Sequence, residues 1–301
     1  MRSMIVAAFA GAVCAAAMSA QQPPAPPPPP PPPMPAILKS YAAVTLERLK
    51  QPDASDWLMV RRTYDGWSYS PLDRITAANA RRLQPLWVFS TGVTNGHEAP
   101  PLINRGVMFL STPGNQVIAL DAKTGTVLWR YRRPLPEDVV LAHPTSRGVA
   151  LYGDKVYFAA GEAVLVALDA RTGKEAWTTT VEDNKNGYYM TLAPLVADGK
   201  ILVGASGGEL GVRGFVAAYD PETGEQKWRT YAVPSPGEPG SETWPAGNQW
   251  KTGGGSIWVT GTYDLRTNLT FWGTGNGGPW MGDQRPGDNL FTASTIAVDA
   301  A

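Results

Sequence analysis

Cysteine is nearly missing from this 301-residue sequence: the one present, Cys14, lies within the first twenty residues. A mature chain that has lost that segment has no thiol, which excludes a disulfide framework and a c-type haem attachment site. Excess charge is missing too, because 26 basic residues balance 26 acidic ones and the pI is about 6.7. Nothing in that balance points to nucleic acid. Beyond residue 20 no apolar run reaches the ~18 residues that a spanning helix needs. Glycine (32 residues) and tryptophan (11 residues) are plentiful, and 43% of the chain is apolar. That composition suits closely packed β-structure around a sizeable core.

Arg2, the apolar run MIVAAFAGAVCAAAM and the small residues Ala17, Ser19 and Ala20 have the layout of a secretory signal, so residues 1–20 are read as a signal peptide. Val13 stands where a lipoprotein anchor would need a small residue before the cysteine. Residues 21–40 read as a proline-rich linker; Pro26 to Pro33 is unbroken and would form a polyproline II spacer of roughly 25 Å. Residues 41–301 read as the folded body. Within it AAVTLERLK is a weak helical pattern, TAANARRL a short helix opened by Thr76, and LWVFSTG a strand.

The body is organised by a repeat. Ala119-Leu120-Asp121, Thr124-Gly125 and Trp129 return as Ala167-Leu168-Asp169, Thr172-Gly173 and Trp177, then as Ala218-Tyr219-Asp220, Thr223-Gly224 and Trp228. A fourth copy begins at Ala297-Val298-Asp299. A period near 50 residues signals a repeat architecture. The residues before each Asp are β-formers. The DxxTG that follows is a turn, with Asp bonding its own backbone and Gly supplying positive φ. The Trp anchors the returning strand through its apolar bulk, and its N–H needs a partner. Several strands per unit at this period predict an all-β propeller, with one four-stranded sheet per blade. A β-sandwich with similar turns is the competing fold, and three copies of one hairpin with one Trp position argue against it. The Pro- and Gly-rich stretch between Trp228 and Trp250 is aperiodic, which is often the mark of a functional loop.

The segments YDGWSYSPLDRI, STGVTNGHEAPPL, SRGVALY, MTLAPLV, GASGGELGVRGFVAAYDPETG, WKTGGGSIWVTGTYD and GTGNGGPWMGDQRPGDN follow one another in this order. Together they resemble the quinoprotein alcohol dehydrogenases, over about residues 55–301. The resemblance implies an eight-bladed propeller, of which this chain holds about four blades. It also implies a periplasmic enzyme that oxidises an alcohol by hydride transfer to pyrroloquinoline quinone (PQQ) beside a calcium ion and passes electrons to a cytochrome c.

Site residues follow from the same resemblance. Glu98 matches an acid that touches the quinone, and Arg147 a cation that reaches its oxygens; a forked guanidinium is a suitable partner for a planar tricarboxylate. Thr191, Ser206, Gly207 and Gly208 match positions that bond the cofactor carboxylates. Trp258 matches the indole on which the cofactor lies flat, and Gly253, Gly254 and Gly255 suit a backbone that passes close to something. Glu209 and Asn276 match two protein ligands of the calcium ion, oxygen donors of the kind a hard cation takes. Two departures stand out. The adjacent cysteines that many alcohol-oxidising members carry fall around Leu141-Ala142-His143 here. The family's catalytic Asp would lie past Ala301, so no catalytic residue is assigned, the sequence is expected to be a truncated piece, and the polypeptide alone is expected to have little activity. The alternative from another class is a non-enzymatic PQQ-like propeller that serves as a binding or assembly scaffold; it would not need Glu98, Arg147, Thr191, Glu209, Trp258 and Asn276.

Overall fold

The structure, a computed structural model, describes residues 33–94 and 96–301. The signal segment 1–20, Cys14 and the polyproline run up to Pro32 lie outside the described residues. From Met34 onward the chain forms one compact unit. Its first element is a helical turn, α1 (Ala36–Lys39), whose Leu38 is 1% exposed. The packed body therefore already includes residues assigned above to the linker. The short helix α2 (Leu46–Lys50) follows, capped by Thr45, whose side chain accepts from the Arg48 N–H. Arg48 bonds the Ala42 and Ala43 carbonyls, Asn104 Oδ1 and the buried Asp56 carboxylate at 2.7 Å, so this arm is pinned to the first sheet.

Four antiparallel sheets follow in chain order. The first contains β1 (Leu102–Asn104), β2 (Val107–Thr112), β3 (Gln116–Asp121) and β4 (Val127–Arg132). The second contains β5 (Val149–Tyr152), β6 (Lys155–Ala160), β7 (Val164–Asp169) and β8 (Glu175–Thr180). The third contains β9 (Leu195–Ala197), β10 (Lys200–Gly204), β11 (Phe215–Tyr219) and β12 (Gln226–Tyr231). The fourth contains β13 (Thr262–Asp264), β14 (Leu269–Gly273) and β15 (Thr295–Asp299). Each sheet is a simple meander, and the leading strands β5 and β9 of neighbouring sheets pack together. This is the expected propeller arrangement, with the first strand of each blade innermost. The third strands β3, β7 and β11 are buried almost throughout. They read as largely apolar runs, while the fourth strands β4 and β8 alternate towards solvent and β12 is exposed at both ends.

The repeat is realised identically in three blades. Trp129, Trp177 and Trp228 stand opposite Ala119, Ala167 and Ala218, and each ladder slips by one residue immediately beyond that pair. Asp121, Asp169 and Asp220 each accept two backbone N–H bonds through Oδ1, and each turn Gly donates back to its Asp carbonyl. The Trp of one blade then docks on the turn of the next: Trp129 Nε1 donates to Ala170 O at 2.9 Å and Trp177 Nε1 to Pro221 O at 3.0 Å. The turn glycines fit flat against these indoles. A Cβ on Gly173 would come within 2.6 Å of the Trp129 ring, and one on Gly224 equally near Trp177.

Two local expectations fail. TAANARRL holds only a 3-10 turn, Ala80–Arg82, too short to bury a face. LWVFSTG is not in a ladder, and Leu86 and Val88 are each 90% exposed. Its Trp87 nevertheless docks as the others do, donating to Ala122 O at 3.3 Å and lying against Gly125. The segment thus carries a fourth-strand Trp without a third strand beside it among the described residues.

Candidate functional site

The site is assembled by backbone bonds that run from blade to blade at one end of the sheets. Ser146 N–H donates to Gly96 O and Glu98 N–H to Ser146 O; Arg147 N–H donates to Thr191 O at 3.0 Å. Ser206 N–H donates to Tyr189 O and Ile257 N–H to Ala205 O, both at 2.8 Å. Gly255 N–H donates to Asn276 O and Gly275 N–H to Ser256 O. This relay places Glu98, Arg147, Thr191, Ser206, Trp258 and Asn276 side by side, although they are scattered over four blades.

Their side chains meet as well. Arg147 Nη1 donates to Thr191 Oγ1 at 2.6 Å, and its Nη2 lies 2.9 Å from Glu98 Oε2. The Arg147 guanidinium carbon sits 4.8 Å from the centroid of the Trp258 ring, over its face. Thr191 Oγ1 is also 3.1 Å from Ser206 Oγ and 3.3 Å from the Trp258 carbonyl. Thr191 and Ser206 are buried, and a buried hydroxyl is costly unless bonded, so this contact set is mutually fixed. Trp258 is 44% exposed, which leaves indole surface open to the cleft.

That cleft has a volume of about 850 Å³. Arg147, Thr191, Ser206, Gly207, Gly208, Glu209, Trp258 and Asn276 all line it; Glu98 is not in its wall and reaches it through Arg147. Glu209 Oε1 accepts from the Tyr189 hydroxyl at 2.5 Å and lies 3.5 Å from His143 Nε2. Burial, with the Glu209 bond second, pushes the Tyr189 hydroxyl well above the usual tyrosine range, so it stays a donor. The second Glu209 oxygen and the Asn276 amide have no bonding partner among the described residues. They are two hard oxygen donors turned to one cleft, the type of partial set that calcium or a similar cation uses. No group of three or more His, Cys, Asp or Glu placed to hold a metal ion by itself occurs among the described residues.

The glycines are explained by packing. Gly207 has φ +109, and a Cβ there would lie 2.1 Å from Gly187 O; a Cβ on Gly208 would meet Ser256 Oγ at 2.8 Å. Gly254 passes the Asn276 carbonyl so tightly that a Cβ would be 2.4 Å from it. The glycine run therefore fixes the depth at which Asn276 sits. Of the Leu141–His143 stretch, only His143 lines the main cleft. Two further contributors, Tyr189 and Ser256, also line the cleft. Tyr189 precedes Thr191 by two residues in an extended segment, and that spacing puts both on one face, which was the available signal.

Residues 57–301 match the family model described as PQQ: glucose/ethanol/alcohol dehydrogenase, β-propeller domain. The chain is 41% identical over 282 residues to the quinoprotein alcohol dehydrogenase PedH of Pseudomonas putida, covering 86% of this chain and 47% of that protein. It is 38% identical over 298 residues to subunit 1 of the methanol dehydrogenase [cytochrome c] of Methylorubrum extorquens, covering 88% and 47%. A solved quinohemoprotein alcohol dehydrogenase from Pseudomonas putida HK5 superposes with a TM-score of 0.80 at 37% identity, covering 86% of this chain and 41% of that one. A europium-containing methanol dehydrogenase superposes with a TM-score of 0.79 at 36% identity, covering 84% and 48%. The chain thus spans about half the length of the curated relatives it matches.

Proposed function

Because this chain belongs to the family of PQQ-dependent glucose, ethanol and alcohol dehydrogenase propellers, we propose that its cleft is the binding half of a quinoprotein site that oxidises an alcohol. The observation that carries the proposal is the convergence of Arg147, Thr191, Ser206, Glu209, Trp258 and Asn276, none of them part of the repeat, on one cleft. The residues suit the group. Arg147 is a forked cation over an indole face, which matches a flat polyanion in both charge and shape. Thr191 and Ser206 offer hydroxyls, and Gly207 and Gly208 open backbone, to its carboxylates. Glu209 and Asn276 supply oxygen to a calcium ion or a similar hard cation. Glu98 acts by holding Arg147 in place.

When bound, PQQ supplies a quinone that accepts hydride, and the metal beside it acts as a Lewis acid. This chain's residues then do the binding. Trp258 would offer the cofactor its open ring face, Arg147 and Thr191 would meet its anionic groups, and Glu209 and Asn276 would hold the cation. On this reading these residues bind and orient, and none of them is assigned as the base that takes the alcohol proton. The chain would be exported to the periplasm behind its signal segment, and electrons would leave to a cytochrome c. The alcohol itself is unassigned.

Titration of the 301-residue chain with PQQ, with and without calcium, tests the reading through quenching of tryptophan fluorescence. Saturable binding that calcium strengthens is expected, and Arg147→Ala and Trp258→Ala should each weaken it at least tenfold. Binding that is indifferent to both substitutions overturns it.

A further inference from the structure

Two edges of this molecule are unfinished, and they match. β15 carries the Ala-x-Asp signature of a third strand but pairs only with β14, and its burial alternates where β3, β7 and β11 are buried almost throughout. Ala300 N–H donates to Asn268 O and Thr274 N–H to Ser294 O, so the even-numbered residues along β15 serve β14. By the alternation of an antiparallel ladder, Thr295 and Ala297 turn their backbone groups to the open edge. The second unfinished element is the segment 86–90, which carries the docking Trp of a fourth strand and no third strand. Trp87 donates to Ala122 O, the Arg130 guanidinium lies 5.7 Å from the Phe89 ring centroid, and Gln116 Nε2 donates to Thr91 O at 3.2 Å. These contacts hold the segment against the first sheet as β4 is held against the second, where Trp129 donates to Ala170 O and the Tyr131 hydroxyl to Glu175 Oε1. The backbone groups of Trp87 and Phe89 have no hydrogen-bond partner among the described residues.

We propose that one occupant finishes both edges, a second copy of this chain: the segment 86–90 of each copy becomes the fourth strand on β15 of the other, and two copies close one ring. The register follows from the complete sheets, where Trp129, Trp177 and Trp228 stand opposite Ala119, Ala167 and Ala218. Arg133 N–H donates to Asn115 O, so Trp129 and Tyr131, at the same parity, turn their N–H groups to β3. The same register sets Trp87 opposite Ala297 and Phe89 opposite Thr295 of the other copy, which are the residues whose backbone groups are open. Val88, 90% exposed, then faces Ile296. The strand count agrees: the described residues hold fifteen strands, and this segment supplies the one that the fourth sheet lacks. The chain spans about half the length of its relatives, so two copies make up about the length of one. Reciprocal pairing leaves neither edge free, whereas a rotation that fails to close would build an open filament.

Sedimentation velocity on the full 301-residue chain tests the proposal, and a single species of twice the 32.2 kDa chain mass is expected. Phe89→Pro removes an N–H that the new ladder needs and that bonds nothing within one copy. It should raise the dimer dissociation constant roughly tenfold or more with the circular dichroism spectrum unchanged. Cross-linking tests the register independently of that variant. Val88 and Ile296 would form a non-hydrogen-bonded pair, about 4.5 Å apart at Cα and within disulfide reach. Oxidation of the double variant Val88→Cys, Ile296→Cys should therefore give a covalent dimer and nothing larger. The two single variants, which also contain Cys14, should give none of that product. A monomer at every concentration overturns the proposal, and so does a ladder of species larger than the dimer. A dimer that the cysteine pair does not link, or that Phe89→Pro leaves equally tight, overturns the assignment of these two edges as its interface.

Discussion

The two rims of this propeller sector are built on opposite principles. At the outer rim the same contact is made repeatedly: an indole N–H meets the carbonyl just after a turn Asp, and the indole face covers a turn glycine, for Trp87, Trp129 and Trp177 alike. At the inner end nothing repeats. Arg147 is met by Thr191 and Glu98, Glu209 by Tyr189, and Asn276 by the glycine run, and each of these contacts occurs once. Repetition at one rim provides a frame whose stability is spread over similar units. Freed from that task, the inner loops can carry residues chosen for a ligand. Substitutions at the outer rim should therefore change stability and leave binding alone, and those at the inner end should do the reverse.

The largest effect is expected from Trp129→Ala. The indole is 8% exposed, packs at 5.8 Å from Phe109 and is bonded to the next blade. Its removal should cost about 3–5 kcal/mol, as large core truncations do, read from the urea midpoint at constant slope. Trp228→Ala should cost clearly less, because its indole N–H is buried without an acceptor among the described residues. Equal losses at the two sites would show that the docking bond is not what makes the outer rim stable. At the inner end, Arg147→Met should weaken PQQ binding on the order of 10–100-fold, the range for losing a charge-assisted fork. The urea midpoint should hardly move, since the guanidinium faces the cleft. A stability loss as large as that of Trp129→Ala would erase the distinction between the rims.

The two rims were also unequally legible in the sequence. The Ala-Leu-Asp, Thr-Gly and Trp pattern marked the hairpins because each position has a local physical duty: an Asx turn, a positive φ, a docking ring. Trp87 escaped that pattern because no DxxTG turn precedes it, and only the three-dimensional contact with Gly125 reveals its role. LWVFSTG has strand propensity, but propensity does not make a strand where no neighbour offers a ladder. At the inner end, the resemblance to a family picked out residues that spacing could not have joined. Glu98 and Asn276 are 178 residues apart in the sequence, and the backbone relay that unites their neighbourhoods has no sequence period. Tyr189 was readable from its two-residue offset from Thr191, whereas Ser256, wedged between Gly208 and Gly275, was not.

A smaller effect separates ring contact from backbone strain at two turn glycines. Gly173 and Gly114 have similar positive φ, +68 and +74. A Cβ on Gly173 would strike the Trp129 ring at 2.6 Å, and one on Gly114 would meet nothing within 4 Å. Gly114→Ala should cost about 1 kcal/mol, the price of a left-handed alanine. Gly173→Ala should cost roughly 1–3 kcal/mol more through overpacking. Thermal or urea unfolding of the two variants measures the difference directly, and equal costs would mean that the indole simply moves aside.

The smallest effect concerns the turn acid. Asp220 Oδ1 accepts the Thr223 and Glu222 N–H groups, each at 2.9 Å, and the Thr223 bond in particular holds the carboxyl below the usual aspartate range. A carboxyl whose pKa is lower in the folded chain than in the unfolded one stabilises the fold above the unfolded value of about 3.9. That contribution is lost as pH falls through the folded value. In Asp220→Asn the side-chain oxygen can still accept both N–H bonds, so the turn survives and only the charge is removed. At pH 6–7 the variant should therefore be slightly less stable than the parent. As pH drops below about 4, the parent should lose this advantage and the two curves should converge. Urea midpoints taken across that range decide the matter. A gap that stays constant into acid would mean that the charge on Asp220 contributes nothing to the turn and that its shape alone holds the hairpin.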